Sequence, residues 1–206
     1  MARVMERVRV VQLGFSPYEA TLKAMREFTA KRDADTLDEF WLLEHPPVYT
    51  LGLAADAAHG PRVDRGIPVV QVERGGEITY HGPGQAILYT LVDLARRGVK
   101  VKQFVAMLEQ SVIDLLGGRG ERRPGAPGVY VDGAKVAALG IRVSRGCTFH
   151  GVALNVDMDL APFDAIDPCG FPGLKVTQTR DLGFNHTVEG AGLRLAELLA
   201  ERLDRA

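Results

Sequence analysis

Two side chains stand where a reactive group would be useful. Cys169 lies in Ile166-Asp167-Pro168-Cys169-Gly170-Phe171-Pro172-Gly173, a stretch stiffened by prolines and loosened by glycines. Cysteine often serves as a small buried hydrophobe, but an irregular segment runs near the surface. There a thiolate is an effective nucleophile. Gly170 would let a reactant approach, and the main-chain N–H groups of Cys169 and Gly170 could donate to an oxyanion. Lys135 lies in the run Ala134–Val143, whose alternate faces carry Ala137, Leu139, Ile141 and Val143, or Val136, Ala138, Gly140 and Arg142. Both faces are mostly apolar, so the strand reads as buried and takes its lysine with it. Two readings stay open on this pattern. Either the stem packs while the ammonium reaches water, or the amine is desolvated and exchanges protons readily.

The other candidates are weaker. Cys147, in Gly146-Cys147-Thr148, reads as an incidental residue of a hairpin turn. The five histidines are His45, His59, His81, His150 and His186. None forms a His-x-x-x-His pair and the cysteines form no Cys-x-x-Cys, so no metal site is expected. A Cys-His dyad has no local support. Gly82-Pro83-Gly84 lacks the third glycine of a dinucleotide loop and leads into a strand, and no phosphate-loop Gly-Lys-Ser/Thr occurs. No cofactor is expected.

The elements that must position these groups are punctuated by glycine. Arg74-Gly75-Gly76-Glu77-Ile78-Thr79-Tyr80-His81-Gly82-Pro83-Gly84-Gln85 lies between two β-prone runs, residues 67–72 and 86–92. Glycine lets another molecule approach the main chain, so a loop of this kind between buried strands can seat a ligand; a long hairpin connection is the plainer alternative. A first strand is expected over residues 8–13. Ser16-Pro17-Tyr18-Glu19 then predicts a helix with a capping serine and proline at its first position, running to about Lys31. Strands over 38–44 and 48–51 precede a loop over 52–66. After residues 98–103, a helix with Phe104, Leu108, Val112 and Leu115 on its apolar face ends at Gly117-Gly118. A surface loop over 120–128 leads to strands over 129–131, 134–143 and 148–156, the last two joined at Ser144-Arg145-Gly146. Residues 157–173 read as irregular, and a closing helix spans 188–203. Strands and helices interleave with hairpins, which gives an α+β (mixed α/β) fold in one domain over residues 1–206.

Composition narrows the class. The 206 residues are 46% hydrophobic with a formal net charge of −1. That is enough apolar material for a core and too little basic charge for a nucleic-acid protein. No apolar run approaches membrane-spanning length, and the first residues lack a signal-peptide block. Two cysteines make no disulfide framework, so a reduced, cytoplasmic protein is expected.

Four stretches in order resemble the lipoyl(octanoyl) transferase family, the ATP-independent acyltransferases of lipoate synthesis. They are Arg74-Gly75-Gly76 with Thr79 through Gln85, Gly133 through Gly140, His150-Gly151-Val152-Ala153-Leu154-Asn155, and Pro168-Cys169-Gly170; His45 through Gly52 fits as well. Tyr130, where tryptophan is expected, and Cys147 depart from the pattern. The resemblance implies a fold like the catalytic domains of biotin protein ligases and lipoate ligases, a mixed sheet backed by helices. It implies octanoyl transfer from octanoyl-acyl carrier protein to a lysine of lipoyl domains, those of 2-oxoacid dehydrogenase complexes and the glycine cleavage H protein. Cys169 would carry the acyl thioester and Lys135 would lower its pKa and later handle the amine proton. The acyl pocket would comprise Arg74, Gly75, Gly76, Glu77, Ile78, Thr79, Tyr80 and His81, with Ala138, Leu139, Gly140, Gly151, Val152 and Ala153. An ATP-dependent lipoate or biotin ligase, sharing that fold, is the alternative enzyme; a non-catalytic binding module would need neither Cys169 nor Lys135.

Overall fold

Apolar runs with strand alternation pair into a seven-stranded mixed sheet, on which two long helices lie across one face. The computed structural model describes residues 2–5, 8–55, 60–168 and 173–206, with side chains from residue 8 onward. Residues 169–172 lie outside that description, and the expectations for Cys169 lie there with them. The large sheet runs in the order β1 (Ala2–Met5), β2 (Val8–Phe15), β3 (Asp38–Glu44), β7 (Gln85–Leu91), β10 (Cys147–Asn155), β9 (Ala134–Ser144), β8 (Gly128–Val131). Within this sheet, among the described residues, only the β2–β3 pair is parallel. It is joined by α1 (Tyr18–Lys31), as a parallel connection requires a crossover. A three-stranded sheet, β5 (Val69–Gln71), β4 (Val48–Leu51) and β6 (Ile78–His81), stands beside it.

Central strands β7 and β10 are buried along their whole length, which explains why apolar residues dominate them and why, among their polar members, Gln85, Thr148 and Asn155 all find hydrogen-bond partners. One face packs on α3 (Val101–Leu115) and α4 (Val188–Asp204) through Leu88, Val152, Phe104, Leu108, Leu195 and Leu199. The other packs on α1 through Trp41, Ile87, Tyr89, Leu22 and Met25. Thr187 caps α4 by accepting from Gly190 N–H at 3.0 Å. No helix among the described residues is long and apolar enough to cross a membrane.

Several local expectations are corrected. Ser16 does not cap α1: its hydroxyl donates back to the Leu13 carbonyl at 3.0 Å and its N–H to Glu44 O at 2.9 Å. Pro17 therefore sits at the N-cap and Tyr18 is the first helical residue. The stretch after Arg74 is not one loop, because Ile78–His81 pairs antiparallel with β4. The run ahead of it shrinks to the half-exposed edge strand β5. Cys147 is no turn residue but the first residue of β10, 7% exposed. The turn itself is Arg145-Gly146, both at positive φ. α3 begins three residues before Phe104. The four-residue α2 (Leu94–Arg97) is too short to show a helical period, although Asp93 and a left-handed Gly98 bracket it.

One buried carboxylate ties the margin together. Asp38, 1% exposed, meets Arg32 at 2.5 Å, Arg96 at 2.8 Å and Arg97 at 2.6 Å, and accepts from Asp93 N–H at 2.9 Å. Removing one partner of such a group strands the others in a dry place. Asp38→Ala is expected to lower unfolding stability by about 3–5 kcal/mol in urea titration. A loss under about 1 kcal/mol would show that the cluster is merely solvated surface charge.

Candidate active site

Register sets the floor of the site. β9 and β10 pair Ala138 with Ala153 and Gly140 with Gly151, and β10 pairs Ala153 with Ile87 and Gly151 with Tyr89 on β7. Directly opposed residues of antiparallel strands project from one face. Two rungs therefore lie side by side, Ile87–Ala153–Ala138 and Tyr89–Gly151–Gly140, and their small members hollow the sheet. At Gly151 a Cβ would lie 2.2 Å from Leu88 O, and at Gly140 one would lie 2.9 Å from Gly75 O.

The roof is the glycine-rich stretch, stapled down by its arginine. Arg74 is 7% exposed and donates to Thr50 O at 2.7 Å, Thr50 Oγ1 at 2.8 Å and Gly75 O at 3.0 Å. Gly75 N–H donates to Ile141 O at 3.1 Å, which sets the stretch over β9. Between floor and roof is a cavity of about 40 Å³. Of the expected pocket residues, Arg74, Gly76, Glu77, Ile78, Thr79 and His81 border it from above. Ala138, Leu139, Gly140, Gly151, Val152 and Ala153 border it from the strands. Tyr80 does not: its ring packs away against Tyr49 and Phe163, at 5.5 and 5.4 Å. Gly75 borders a neighbouring groove with Val105, Leu108 and Pro127. Ile87, Tyr89 and His150 complete the cavity wall and were missed, because only strand register brings them to it.

Three imidazoles collect here, His81 and His150 in the wall and His45 behind it. His45 Nδ1 donates to Ser16 O and its Nε2 accepts from Tyr89 Oη, both at 2.7 Å. Gln85 uses its amide N–H groups on Tyr80 O and Asn155 Oδ1, so its carbonyl accepts from His81 Nδ1 at 2.8 Å. Tyr18 stacks on His81 at 5.9 Å. Burial pushes His45 down to about 4 and His150, with the Arg74 charge added, to about 3. Burial and the other histidine push His81 well down too. All three are thus uncharged at neutral pH. Among the described residues no three His, Cys, Asp or Glu side chains converge as metal ligands.

Lys135 stands three residues before Ala138 on β9, about 10 Å from that rung. It does not line the cavity. Only 3% exposed, it donates from Nζ to Pro127 O at 3.0 Å and lies 5.4 Å from the Tyr130 ring centroid. The strand-end reading, with the ammonium in water, is excluded by that burial. Gly128, at φ +144°, leaves the stem its room, since a Cβ there would sit 2.5 Å from Lys135 Cε. The chain that follows residues 169–172 clasps Lys135 on both sides: its N–H donates to Lys175 O at 2.8 Å, and Thr177 N–H donates to its carbonyl at 2.9 Å. Asn155 Nδ2 donates to Thr177 O at 2.9 Å. A continuous amide chain thus runs from His81 through Gln85 and Asn155 to the clasp.

Cys147 is the other thiol. Burial, with Asp93 nearby, raises it above the usual thiol range, opposite to what a nucleophile needs.

The sequence profile of the lipoyl protein ligase A/B catalytic domain family matches residues 17–199. The chain belongs to that family. It is similar to an octanoyltransferase of Thiobacillus denitrificans, 60% identical over 92% of this chain and 88% of that protein. Its fold is also that of a chain from the archaeal lipoylation system of Thermoplasma acidophilum, a bi-partite lipoate protein ligase and its E2 lipoyl domain, with a TM-score of 0.73, 16% identity and coverage of 95% and 83%. A biotin protein ligase of Aquifex aeolicus shares it more distantly, with a TM-score of 0.56, 12% identity and coverage of 98% and 71%.

Two outcomes follow from this geometry. Each histidine takes up a proton on unfolding below its free value near 6.5, so the folded state binds fewer protons there and stability must fall as pH drops from about 6.5 towards 4. The slope approaches 1.4 kcal/mol per pH unit for each such histidine. Thermal melts should show Tm falling through that window, and less steeply in His45→Gln; a Tm flat from pH 7 to 4.5 would contradict neutral burial. Asn155→Leu should leave the sheet folded by circular dichroism yet loosen residues 175–177, read as faster amide exchange at Thr177. Unchanged exchange there would mean the amide chain does not hold the clasp.

Proposed function

We propose that this chain takes an octanoyl group from octanoyl-acyl carrier protein onto Cys169 and passes it to a lysine of a lipoyl domain. Octanoyl transfer in protein lipoylation is the activity of its family branch, and acyltransferase chemistry needs no ATP when thioester energy is carried from thiol to thiol. The single observation supporting the reading most strongly is Lys135, a buried amine clasped by residues 175–177, which follow the Cys169 stretch.

The steps balance with those two groups. The Cys169 thiolate attacks the donor carbonyl, the new C–S bond forms, and the carrier sulfur leaves with a proton from the Lys135 ammonium. With the thiolate consumed, Lys135 is a neutral amine. The acceptor amine then attacks the Cys169 thioester, the amide forms, the Cys169 thiolate departs, and Lys135 takes the amine proton, restoring the starting state. The acyl chain would lie on the Ala138–Ala153 and Gly140–Gly151 rungs by widening the 40 Å³ space between them and the roof, and each buried CH₂ contributes roughly 0.8 kcal/mol.

The test is the mass of the protein after mixing with octanoyl-acyl carrier protein in apyrase-treated buffer. One octanoyl adduct, mapped to Cys169, is expected, with transfer to a lipoyl domain proceeding without ATP. Cys147→Ser should keep near-normal transfer and Cys169→Ser should lose it by about 100-fold or more. Lys135→Ala should fall by about 100-fold, Lys135→Arg likewise since arginine keeps its proton, and the exposed Lys175→Ala little. An adduct on Cys147, or a strict ATP requirement, would overturn the assignment.

A further inference from the structure

His150 sits at the end of the cavity farthest from Lys135. Along β9 the sequence of rungs from the lysine is Ala138 with Ala153, Leu139 with Val152, Gly140 with Gly151, then Ile141 with His150. From the Ala138 rung to the His150 rung is three residues, about 10 Å. That is the reach of an extended eight-carbon chain whose thioester lies on the lysine side. His150 borders the cavity, is 1% exposed and has a left-handed backbone with φ +61°. Its Nε2 is buried and has no hydrogen-bond partner among the described residues.

These facts conflict with a slot made solely for an unsubstituted alkyl chain. A methyl end against Nε2 would leave a buried polar atom unpaired, which is costly wherever it occurs. Strain adds to the puzzle, since a bulky residue at positive φ persists only where its surroundings demand it. The neighbouring imidazoles are satisfied: His45 by Tyr89 and Ser16, and His81 by Gln85. Among the cavity's described histidines, the distal one is left open. Tyr89 stands against its ring edge-on at 5.9 Å and Phe149 stacks at 5.1 Å, so the imidazole cannot swing away without losing both contacts.

We propose that His150 Nε2 forms a polar subsite at the distal end of the acyl cavity, which accepts medium-chain acyl groups carrying a hydroxyl near their far end. A hydroxyl both donates and accepts, so it pairs with Nε2 in either neutral tautomer. The subsite rests on the acyl-cavity reading above and adds a substrate class to it.

The probes are octanoyl-, 7-hydroxyoctanoyl- and 8-hydroxyoctanoyl-acyl carrier protein, and the readout is kcat/KM for each relative to octanoyl within the same protein. A wholly apolar pocket disfavours an added hydroxyl by about 100-fold. For the protein as it is, at least one hydroxylated donor should fall within about 3-fold of octanoyl. In His150→Leu that ratio should drop by 30-fold or more. In His150→Asn, which tolerates positive φ and keeps a polar end, it should stay within about 10-fold. Failure of the octanoyl donor itself to transfer would sink the acyl-cavity reading rather than this one. With octanoyl active, a penalty near 100-fold for both hydroxylated donors overturns the subsite, because Nε2 then serves a trapped water or nothing. So does a ratio that His150→Leu leaves unchanged. Should His150→Leu fail to fold in thermal melts, the ratio in the unsubstituted protein decides alone.

Discussion

A lysine amine taken out of water must be held by dipoles and rings, and around Lys135 the chain supplies both. Pro127 offers its carbonyl, Tyr130 its ring face, and Gly128 the empty space for the stem. Arg123 lies over the same ring at 4.4 Å, so the aromatic sits against two cations. A buried charge is tolerated only where such contacts replace hydration. That requirement fixes β8 against β9. The bridge of Lys135 to Val176 then fixes the segment after residues 169–172. The placement of residues 175–177 thus depends on a lysine that cannot be moved cheaply.

Beside that anchor, the cavity exists because two antiparallel pairs line up alanines and glycines on one sheet face. Larger side chains at those rungs would meet main-chain oxygen within 3 Å at Gly140 and Gly151. The same glycines therefore let the roof approach and leave the floor hollow. Arg74 works as a staple in this arrangement, its donors directed at Thr50 and Gly75. The Arg74 charge is thereby kept in the framework, and the three histidines at the cavity stay neutral through burial.

Much of this was legible in the sequence, and the failures have physical causes. The glycine motifs, the buried strand around Lys135 and the closing helix are local patterns, and local patterns survive folding. Tyr80 is expected at the pocket because the family resemblance carries Arg74 through His81 over as one block, yet it does not border the cavity. In β6 its ring packs against Tyr49 and Phe163, partners that come from distant parts of the chain. Ile87, Tyr89 and His150 join the cavity through register between strands far apart in the chain, which no single stretch encodes. Ser16 failed as a cap because a tertiary bond to Glu44 turned it elsewhere. Cys147 looked like a turn residue since the two-residue turn ends one position earlier, at Gly146.

The central claim is that the acyl chain lies along the β9–β10 rungs with its far end at His150. An octanoyl-carrier protein analogue bearing a photoreactive diazirine at the terminal carbons tests it most directly, by mapping where the label attaches. Crosslinks on Tyr89, His150 and Gly151, with few on the α3–α4 side of the sheet, are predicted. Labelling concentrated on α3 or in the groove beside Val105 and Leu108 would contradict the account, because the chain would then lie outside the hollow those rungs create.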